Sequence, residues 1–449
     1  MGDLASIVKA YDIRGVVPDQ LDEGVAEAVG AAFARLTGAK TMVTVHDMRT
    51  SSGPLADAFG RGAASQGADV LAAGLGSTDM LYYASGELGI PGAMVTASHN
   101  PPQYNGIKLC RAGAKPVGIE TGLKDVQSLA ERPMVPVRVP GTVTSRDLLP
   151  GYAEHLRKLV DISAIRPLTV AVDAGNGMAG YTVPAVFEGL PITLIPLFFE
   201  LDGTFPNHEA NPIEPENLRD LQRAVVEHHA DIGLAFDGDA DRCFVVDERG
   251  EVVSPSVLTA LIATRELARE PGATIIHNLI VSRAVPEIIR EHGGVPVRTR
   301  VGHSFIKAEM ARTGAVFGGE HSGHFYFRDF WFADSGMLAA LHVLAALGEQ
   351  SGPLSRLLAE YSRYHASGEL NSLVADQAAM TALVKQAFSG RPGVKTDELD
   401  GLTVSAPTWW FNLRPSNTEP LLRLNVEADT EETMTAVRDE VLGMVRDTP

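Results

Sequence analysis

Short apolar runs and segments of helical period alternate along most of the chain. Apolar positions three and four residues apart mark the expected helices: 21–36, 54–65, 216–229, 257–268, 285–291 and 337–347. Between them lie strand-like apolar runs: 41–45, 70–73, 92–97, 168–172, 192–199, 232–236, 274–280 and 295–301. Strands that alternate with helices in this way predict parallel or mixed sheets covered by helices.

The alternation stops and restarts, which predicts separate domains. A stretch rich in Pro, Val and Thr precedes the first restart, and the turn at 247–250 precedes the second. From about residue 368 the pattern is shorter, and it ends with a helix over 431–446. We therefore predict an α/β protein with three similar domains containing mixed sheets, followed by a smaller α+β domain. Their predicted ranges are 1–147, 148–249, 250–367 and 368–449.

Composition narrows the class of protein. The chain has 38 basic and 56 acidic residues and a net charge of -18, which disfavours nucleic acid as a partner. The cysteines, Cys110 and Cys243, are too few for a disulfide framework, which favours a reducing compartment. The N-terminus lacks a signal-peptide pattern, and the longest apolar stretches, such as 337–347, are too short to span a bilayer. We expect a cytoplasmic protein that does not act at a membrane.

A rigid loop follows the strand-like run at 92–97. The stretch GAMVTASHNPPQYNGIK places Ser98 and His99 at the end of that run, and prolines stiffen the next residues. Ligand sites in open α/β sheets lie at the carboxyl ends of strands, so Ser98 is a candidate reactive hydroxyl. An ordinary turn is the alternative, because Ser and Asn are common turn residues.

A carboxylate trio follows the run at 232–236. Asp237, Asp239 and Asp241 in DGDADR cannot lie close together in a low dielectric without a cation, and oxygen ligands select Mg²⁺ or Ca²⁺. A calcium-binding helix–loop–helix is excluded, because its sixth position would be Arg242 instead of Gly and the flanking segments are strand-like. Arg242 beside the trio predicts a bound phosphate. A solvated acidic turn is the alternative.

Two further loops carry polar groups suited to a phosphorylated sugar. In GGEHSGH, Glu320 and Ser322 can bind vicinal hydroxyls, although a structural role is equally compatible with the pattern. The loop RPSNTEP holds a guanidinium, hydroxyls and an amide that together can bind phosphate: Arg414, Ser416, Asn417 and Thr418. For Arg423, on the next strand-like run, we expect a structural ion pair.

These loops, in this order, resemble the signature motifs of the α-D-phosphohexomutase superfamily. The resemblance also includes KAYDIRG near the N-terminus and TRVGHSFIK at 299–307, so it covers essentially the whole chain. Within the superfamily the chain is most similar to the bacterial phosphomannomutase/phosphoglucomutase branch. Asn417 is typical of that branch, whereas phosphoglucosamine mutases usually have Gly there and Gln at the position of His321. The resemblance implies domains arranged around a central cleft.

The resemblance implies that Ser98 is phosphorylated in the active enzyme. The expected reaction interconverts hexose 1-phosphate and hexose 6-phosphate of mannose, glucose or both, through a hexose 1,6-bisphosphate. Glucose 1,6-bisphosphate or mannose 1,6-bisphosphate would serve as activator. Mg²⁺ would be held by Asp237, Asp239, Asp241 and the Ser98 phosphate. The expected assembly is a monomer or a homodimer.

Roles for other residues come from the same resemblance. Lys108 and His303 match positions near the reacting oxygens, His99 orients the serine loop, and Arg242 supplies positive charge. Glu320, Ser322 and His324 would hold sugar hydroxyls, and the 414–418 loop the phosphate that is not reacting. Tyr11 and Arg14 match an N-terminal pocket, with a structural stacking pair as the alternative.

The chain departs from the family pattern at two places, which leaves its sugar preference open. Some members have a sugar-contacting lysine within 278–282, where this chain has Ile280 with Arg283 nearby. The segment Asp334-Ser335-Gly336 replaces a common acidic pair. The alternatives are a phosphoglucosamine mutase, a metal-dependent sugar phosphatase and a non-catalytic binding module. A separate loop at 414–418 argues against the phosphatase, which has no second phosphate to hold.

Overall fold

The structure is a computed structural model and describes residues 4–416 and 421–446. Within these residues the strands form four sheets, which follow the order of the four predicted domains. Strand Val252–Val253 of the second sheet and the start of strand His365–Leu373 of the fourth lie within the range predicted for the third domain. We call the corresponding parts the first unit (4–145), the second unit (149–253), the third unit (255–358) and the fourth unit (365–446). The predicted fold class is confirmed, and the exact domain boundaries stay predictions.

The first unit has a mixed sheet in the order β1-β5-β4-β2-β3-β7, with β6 paired to β5. Its strands are β1 Ile13–Val16, β2 Thr41–His46, β3 Asp69–Leu75, β4 Gly92–Val95, β5 Tyr104–Arg111, β6 Lys115–Pro116 and β7 Val143–Ser145. Its helices are α1 Leu4–Ile7, α2 Glu23–Thr37, α3 Ser52–Ser65, α4 Thr78–Leu88 and α5 Leu123–Ala130, with a 3₁₀ turn at Ile119–Thr121. The sheet changes from parallel to antiparallel between β4 and β5.

The second unit repeats this plan in the order β12-β11-β10-β8-β9. Its strands are β8 Leu168–Asp173, β9 Ile192–Leu197, β10 Ile232–Phe236, β11 Cys243–Asp247 and β12 Val252–Val253, and its helices are α6 Leu149–Leu159, α7 Ala179–Phe187 and α8 Arg219–Glu227. The helix predicted over 216–229 is too long. A 3₁₀ turn at Pro215–Leu218 precedes α8, and His229 leaves the helical region with φ 50°.

The third unit has the order β14-β13-β15-β16-β17. Its strands are β13 Thr274–Asn278, β14 Val295–Thr299, β15 Phe317–Gly319, β16 Phe325–Phe327 and β17 Ala333–Asp334, with a 3₁₀ turn at Arg328–Phe330. Its helices are α9 Pro255–Arg269, α10 Ala284–Glu291, α11 His303–Thr313, α12 Gly336–Gly348 and α13 Leu354–Leu358. Every residue of α12 is buried, because this helix lies in an apolar core that continues into the first and second units.

The fourth unit is an antiparallel sheet in the order β18-β22-β21-β20-β19. Its strands are β18 His365–Leu373, β19 Lys395–Asp397, β20 Leu402–Ser405, β21 Trp409–Pro415 and β22 Leu421–Ala428, and its helices are α14 Gln377–Ser389 and α15 Glu431–Arg446. It has an apolar core of its own, formed by the two helices against one face of the sheet. No helix in the described part of the chain combines the length and apolar character that a membrane crossing demands.

The three α/β units place their motifs at equivalent positions. In each unit one loop joins a parallel strand to the antiparallel strand beside it: β4 to β5, β10 to β11, and β15 to β16. These loops contain Ser98, the aspartate trio and the Glu320–His324 segment. A repeated sheet plan therefore gives three chemically different loops at the same kind of strand end.

Candidate active site

Ser98 is held in an unusual backbone conformation between β4 and β5. Its φ is 50°, in the left-handed region that non-glycine residues seldom occupy. Its N–H donates to Thr96 Oγ1 at 2.8 Å, and its hydroxyl donates to Asp237 Oδ2 at 2.8 Å. The residue is only 3% exposed. The loop thus fixes one hydroxyl against a carboxylate of the second unit.

Arg49, which the sequence analysis missed, lies beneath this loop. Its terminal nitrogens donate to backbone carbonyl oxygens at 2.6–3.0 Å: those of Ser98, Asn100, Pro101 and Tyr104. The buried guanidinium also pairs with Asp47, with 3.3 Å between Nε and Oδ2. Asp47 directly follows β2, and Arg49 is three residues beyond its end. The strand-end criterion that selected Ser98 could therefore have found them.

The aspartate trio forms a buried cluster of oxygen atoms. Asp237, Asp239 and Asp241 each offer an oxygen within 4.8 Å of the other two. Burial, together with the charges of Asp241 and Asp239, raises the pKa of Asp237 well above its usual value. The Oδ1 atoms of Asp239 and Asp241 are buried without a hydrogen-bond partner. Such a set of hard, crowded oxygen donors fits a cation of the Mg²⁺ type.

Lys108 points from β5 into this cluster. Its ammonium lies 2.6 Å from Asp239 Oδ2 and 2.7 Å from Asp241 Oδ2. Burial opposes the charged form, but the two carboxylates outweigh it and raise the pKa of Lys108. Lys108 is therefore a fixed positive charge within the aspartate trio.

His99 contacts the Ser98 hydroxyl, and Arg242 contacts both His99 and Asp237. Arg242 lies with Nε 3.5 Å from Asp237 Oδ2, and its Nη2 donates to His99 Nδ1 at 2.9 Å. The same His99 nitrogen is 3.1 Å from Ser98 Oγ. The charge of Arg242, followed by burial, lowers the pKa of His99 well below its usual value. His99 is thus a neutral ring that links Arg242 to the serine loop.

The Glu320–His324 loop of the third unit lies against the aspartate loop. His324 Nε2 is 3.4 Å from Asp241 Oδ1, and its Nδ1 is 3.0 Å from the Ser322 hydroxyl. Glu320 is buried, and its Oε1 accepts a hydrogen bond from Tyr326 at 2.5 Å. The predicted sugar-binding groups are therefore adjacent to the predicted metal-binding groups.

His303, Tyr11 and Arg14 lie at the junction of the first and third units. The rings of Tyr11 and His303 meet edge to face, with centroids 4.4 Å apart. Arg14 donates to Asn100 Oδ1 at 2.5 Å, so it contacts the serine loop. Burial, followed by the charge of Lys307, lowers the pKa of His303 to about 3. The imidazole is neutral near pH 7.

The phosphate-binding loop belongs to the fourth unit and lies partly outside the described residues. Arg414 is the last residue but one of β21, and its Nη2 donates to Glu369 Oε2 at 3.1 Å. Arg423 donates to the other oxygen of Glu369 at 3.1 Å, so the ion pair expected of it is confirmed. The backbone N–H of Ser416 donates to Leu421. Asn417 and Thr418 lie outside the described residues.

A buried ion pair supports the junction between the loops. Lys307 Nζ lies 2.6 Å from Asp334 Oδ1 and 4.2 Å from the centre of the Tyr82 ring. The other oxygen of Asp334 is 3.9 Å from His324 Nε2. The pair requires α11 and β17 to meet in space, so nothing in the local sequence around either residue indicates it.

Both departures from the family pattern have structural partners. The Ser335 hydroxyl donates to Asp79 Oδ2 at 2.6 Å, so an acid at position 335 would bring a second carboxylate against Asp79. Ile280 is buried. Arg283 faces the fourth unit, donating to the Pro407 carbonyl at 2.8 Å and lying 3.7 Å from Asp429. Ile280 carries no charge, and the Arg283 guanidinium contacts the fourth unit, so neither replaces the sugar-contacting lysine of other family members.

Comparison with known protein families matches successive parts of the chain. The models described as phosphoglucomutase/phosphomannomutase alpha/beta/alpha domains I, II and III match residues 5–132, 150–250 and 254–364. The model of the phosphoglucomutase/phosphomannomutase C-terminal domain matches residues 369–444.

Individual relatives are similar over nearly the full length. A phosphomannomutase of Escherichia coli is 40% identical, with 98% of each chain covered. A protein of Xanthomonas campestris pv. campestris named phosphohexose mutases is 41% identical, again with 98% of each chain covered. The crystal structure of a phosphoglucomutase/phosphomannomutase family protein from Burkholderia thailandensis superposes with a TM-score of 0.89 at 32% identity, covering 99% of this chain and 98% of that one.

Proposed function

Because the chain belongs to the phosphoglucomutase/phosphomannomutase family, we propose that it interconverts hexose 1-phosphate and hexose 6-phosphate. It is an isomerase that moves a phosphoryl group between two positions of a sugar, with mannose phosphate, glucose phosphate or both as substrates. One observation carries the site assignment. The Ser98 hydroxyl lies 2.8 Å from Asp237 within a buried aspartate trio, although the two residues are 139 positions apart in sequence. Phosphoryl transfer depends on this kind of positioning and charge neutralisation.

Ser98 carries the phosphoryl group between two transfers. In the first, the bond from phosphorus to Ser98 Oγ breaks as a bond to the free sugar hydroxyl forms, which gives a hexose 1,6-bisphosphate. In the second, the other phosphate of that bisphosphate returns to Ser98. Glucose 1,6-bisphosphate or mannose 1,6-bisphosphate supplied from solution charges the serine initially. The fixed loop around Ser98, with its left-handed backbone, supports this role because it holds the hydroxyl against Asp237.

Positive charge near Ser98 comes from Lys108 and Arg242. The carboxylates of Asp239 and Asp241 hold the Lys108 ammonium charged and fix it in the trio that Ser98 contacts through Asp237. Mg²⁺ would be held by Asp237, Asp239, Asp241 and the Ser98 phosphate, and when bound it neutralises charge on the transferring phosphoryl oxygens. His99 maintains the orientation of Arg242 through their 2.9 Å contact.

His303 is a candidate proton acceptor for the attacking sugar hydroxyl. Its ring is neutral, so a nitrogen lone pair is free to accept a proton. The low pKa in the ligand-free enzyme would rise when a dianionic sugar phosphate enters the cleft, because nearby negative charge favours the imidazolium. Tyr11 holds the ring by its edge-to-face contact.

The remaining loops bind the rest of the substrate. Glu320, Ser322 and His324 bind sugar hydroxyls, and Arg14 contributes at the entrance beside Asn100. Arg414 and Ser416, with Asn417 and Thr418, bind the phosphate that is not reacting. Binding of that phosphate by Arg414 would compete with Glu369, the present partner of its guanidinium.

Phosphorus NMR tests the proposal directly. Mannose 1-phosphate is incubated with the protein, Mg²⁺ and a trace of glucose 1,6-bisphosphate, and Ser98→Ala serves as the control. Growth of a mannose 6-phosphate signal without inorganic phosphate supports the mutase. Growth of inorganic phosphate supports a sugar phosphatase. Turnover of glucosamine 1-phosphate with neither mannose nor glucose phosphate accepted supports a phosphoglucosamine mutase. A cytoplasmic location and a monomeric or homodimeric state stay predictions.

A further inference from the structure

We infer that Arg49 is a positioning residue for phosphoryl transfer: its guanidinium holds the serine loop in the shape that places Ser98 Oγ against Asp237. This inference rests on the proposed function and adds to it a residue outside the signature loops. Arg49 touches neither the aspartate trio nor any group assigned to substrate. It acts through the backbone of residues 98–104.

The serine loop turns its backbone carbonyls inward, toward one buried cation. Arg49 Nη2 donates to the Ser98 and Asn100 carbonyls at 2.7 and 2.6 Å, and Nη1 donates to the Pro101 and Tyr104 carbonyls at 2.9 and 3.0 Å. A residue at φ 50° such as Ser98 keeps that conformation only when its surroundings fix it. The guanidinium provides that support directly at the Ser98 carbonyl.

Arg49 is itself held from several directions. Asp47 Oδ1 accepts a hydrogen bond from the backbone N–H of Arg49 at 3.0 Å. The Ser52 hydroxyl in turn donates to Asp47 at 2.5 Å. Asn105, at the other end of the serine loop, donates to Ser52 at 2.9 Å. The backbone of Arg49 is therefore linked through Asp47 and Ser52 to Asn105, while its guanidinium bonds directly to the carbonyls of Ser98 and Tyr104 near the two ends of the loop.

The second unit covers Arg49 from the opposite side. The Phe205 ring lies 5.0 Å from the guanidinium carbon, and Gly203 approaches so closely that a Cβ there would lie 2.5 Å from Arg49 Cα. The second unit also provides Asp237. Arg49 thus lies where the serine loop packs against the unit that carries the trio. In this position it keeps Ser98 aligned with Asp237.

Lysine cannot reproduce this arrangement. A guanidinium is a planar fork with five N–H donors, whereas an ammonium is a single point with three. Lysine at position 49 would keep the charge and the pair with Asp47 but leave loop carbonyls without donors. Arg49→Lys therefore tests the effect of the loop geometry on its own, because the charge at position 49 is unchanged.

The test compares Arg49→Lys with a matched control, Arg157→Lys. Arg157 also donates to backbone carbonyls, those of Ala185 and Val186 at 2.7 and 3.2 Å, but far from the serine loop. The readouts are kcat and KM for mannose 1-phosphate, and the rate at which glucose 1,6-bisphosphate phosphorylates Ser98, followed by intact-protein mass spectrometry. We expect Arg49→Lys to lower kcat and the phosphorylation rate about 10²-fold, as a misplaced reacting group does. KM should change less than about threefold.

Several outcomes overturn the inference. One is a result in which the Arg49→Lys variant keeps the kcat and the phosphorylation rate of the wild type. Another is a loss of activity that matches Arg157→Lys and follows the melting temperature alone. If Arg49→Lys does not fold, Phe205→Leu removes only the ring against the guanidinium. It should lower the phosphorylation rate about tenfold, and an unchanged rate overturns the inference. Wild-type protein that is never phosphorylated on Ser98 contradicts the proposed function instead.

Discussion

The serine–aspartate region and the phosphate loop of the fourth unit are built differently. Around Ser98 and Asp237, three units share one continuous apolar core, and buried polar groups cross between them. The fourth unit has a separate core. Its polar contacts with the third unit include the Val301 N–H to Asp400 at 3.0 Å and Arg298 to Asp397 at 2.7 Å.

This difference matches what each region must do. Transfer to and from Ser98 requires atoms fixed to a fraction of an ångström, which a shared core and a buried network provide. The phosphate loop must hold the phosphate at either end of the sugar, because the bisphosphate must reverse its orientation between the two transfers. A unit that meets the others through polar contacts can move relative to them without exposing a common core. We expect substitutions in the first region to alter kcat and substitutions in the fourth unit to alter KM.

The largest effect is expected for Ser98→Ala. Loss of the phosphoryl carrier should lower kcat on the order of 10⁴-fold or more, because alanine has no hydroxyl to accept and return the phosphoryl group. The melting temperature should stay close to that of the wild type, since the small side chain contributes little packing. A coupled assay of the conversion of mannose 1-phosphate measures the loss of activity. Activity within tenfold of the wild type would rule out Ser98 as the carrier.

Asp239→Asn should have the next largest effect. The substitution removes one charge from the trio and half of the pair that holds Lys108, so kcat should fall about 10²- to 10³-fold. Mg²⁺ affinity, measured by isothermal titration calorimetry, should weaken in parallel. Asp231→Asn is a suitable control, because Asp231 is partly exposed and pairs with Arg166 away from the site. Unchanged Mg²⁺ affinity would exclude Asp239 as a ligand.

Arg414→Lys addresses the other side of the comparison. Losing a two-pronged contact with phosphate should raise KM about 10- to 100-fold, with a much smaller change in kcat. Steady-state kinetics in both directions of the reaction separate the two constants. The opposite pattern, a lower kcat at constant KM, would place Arg414 with the serine region and remove the distinction between the regions.

Asp79 allows a smaller, pH-dependent test of the shared core. It accepts hydrogen bonds from Tyr152 at 2.7 Å and Ser335 at 2.6 Å, and so joins the first three units. Burial raises its pKa from 3.8 to about 6. The protonated form is thus favoured by folding, and this stabilisation, up to about 3 kcal/mol, is present at low pH and lost as pH rises through 6.

Asp79→Asn should remove that dependence. Relative to the wild type, the melting temperature of the variant should rise between about pH 4 and pH 7, as measured by calorimetry. A parallel decline of both proteins over this range would show that Asp79 does not titrate.

The sequence predicts the parts of this molecule that depend on neighbouring residues. The Ser98 and Asp237–Asp241 loops follow short apolar strands, and the last helix, 431–446, has the predicted bounds. The helix expected over 216–229 is shortened at both ends, because Pro215 belongs to a 3₁₀ turn and His229 adopts a positive φ. The spacing of apolar residues alone does not show where either end of this helix lies.

Long-range pairs could not be predicted in the same way. Lys108 meets Asp239 across 131 positions, and Asp79 meets Ser335 across 256. Both pairs depend on how separate sheets pack. Arg49 is different, since it lies in the loop after the predicted strand at 41–45, but Arg in such loops is common and only the inward carbonyls of residues 98–104 identify its role.

The contacts of Arg49 also bear on how the protein is made. Its carbonyl acceptors lie 49 to 55 residues further along the chain, whereas Asp237 follows Ser98 by 139 residues. At 5–20 residues per second, a ribosome needs about 7 to 28 seconds to add those residues. During that interval the nascent first unit already contains both the guanidinium and the loop it binds. The serine loop can thus take its final shape on the ribosome before the metal-binding residues have been synthesised.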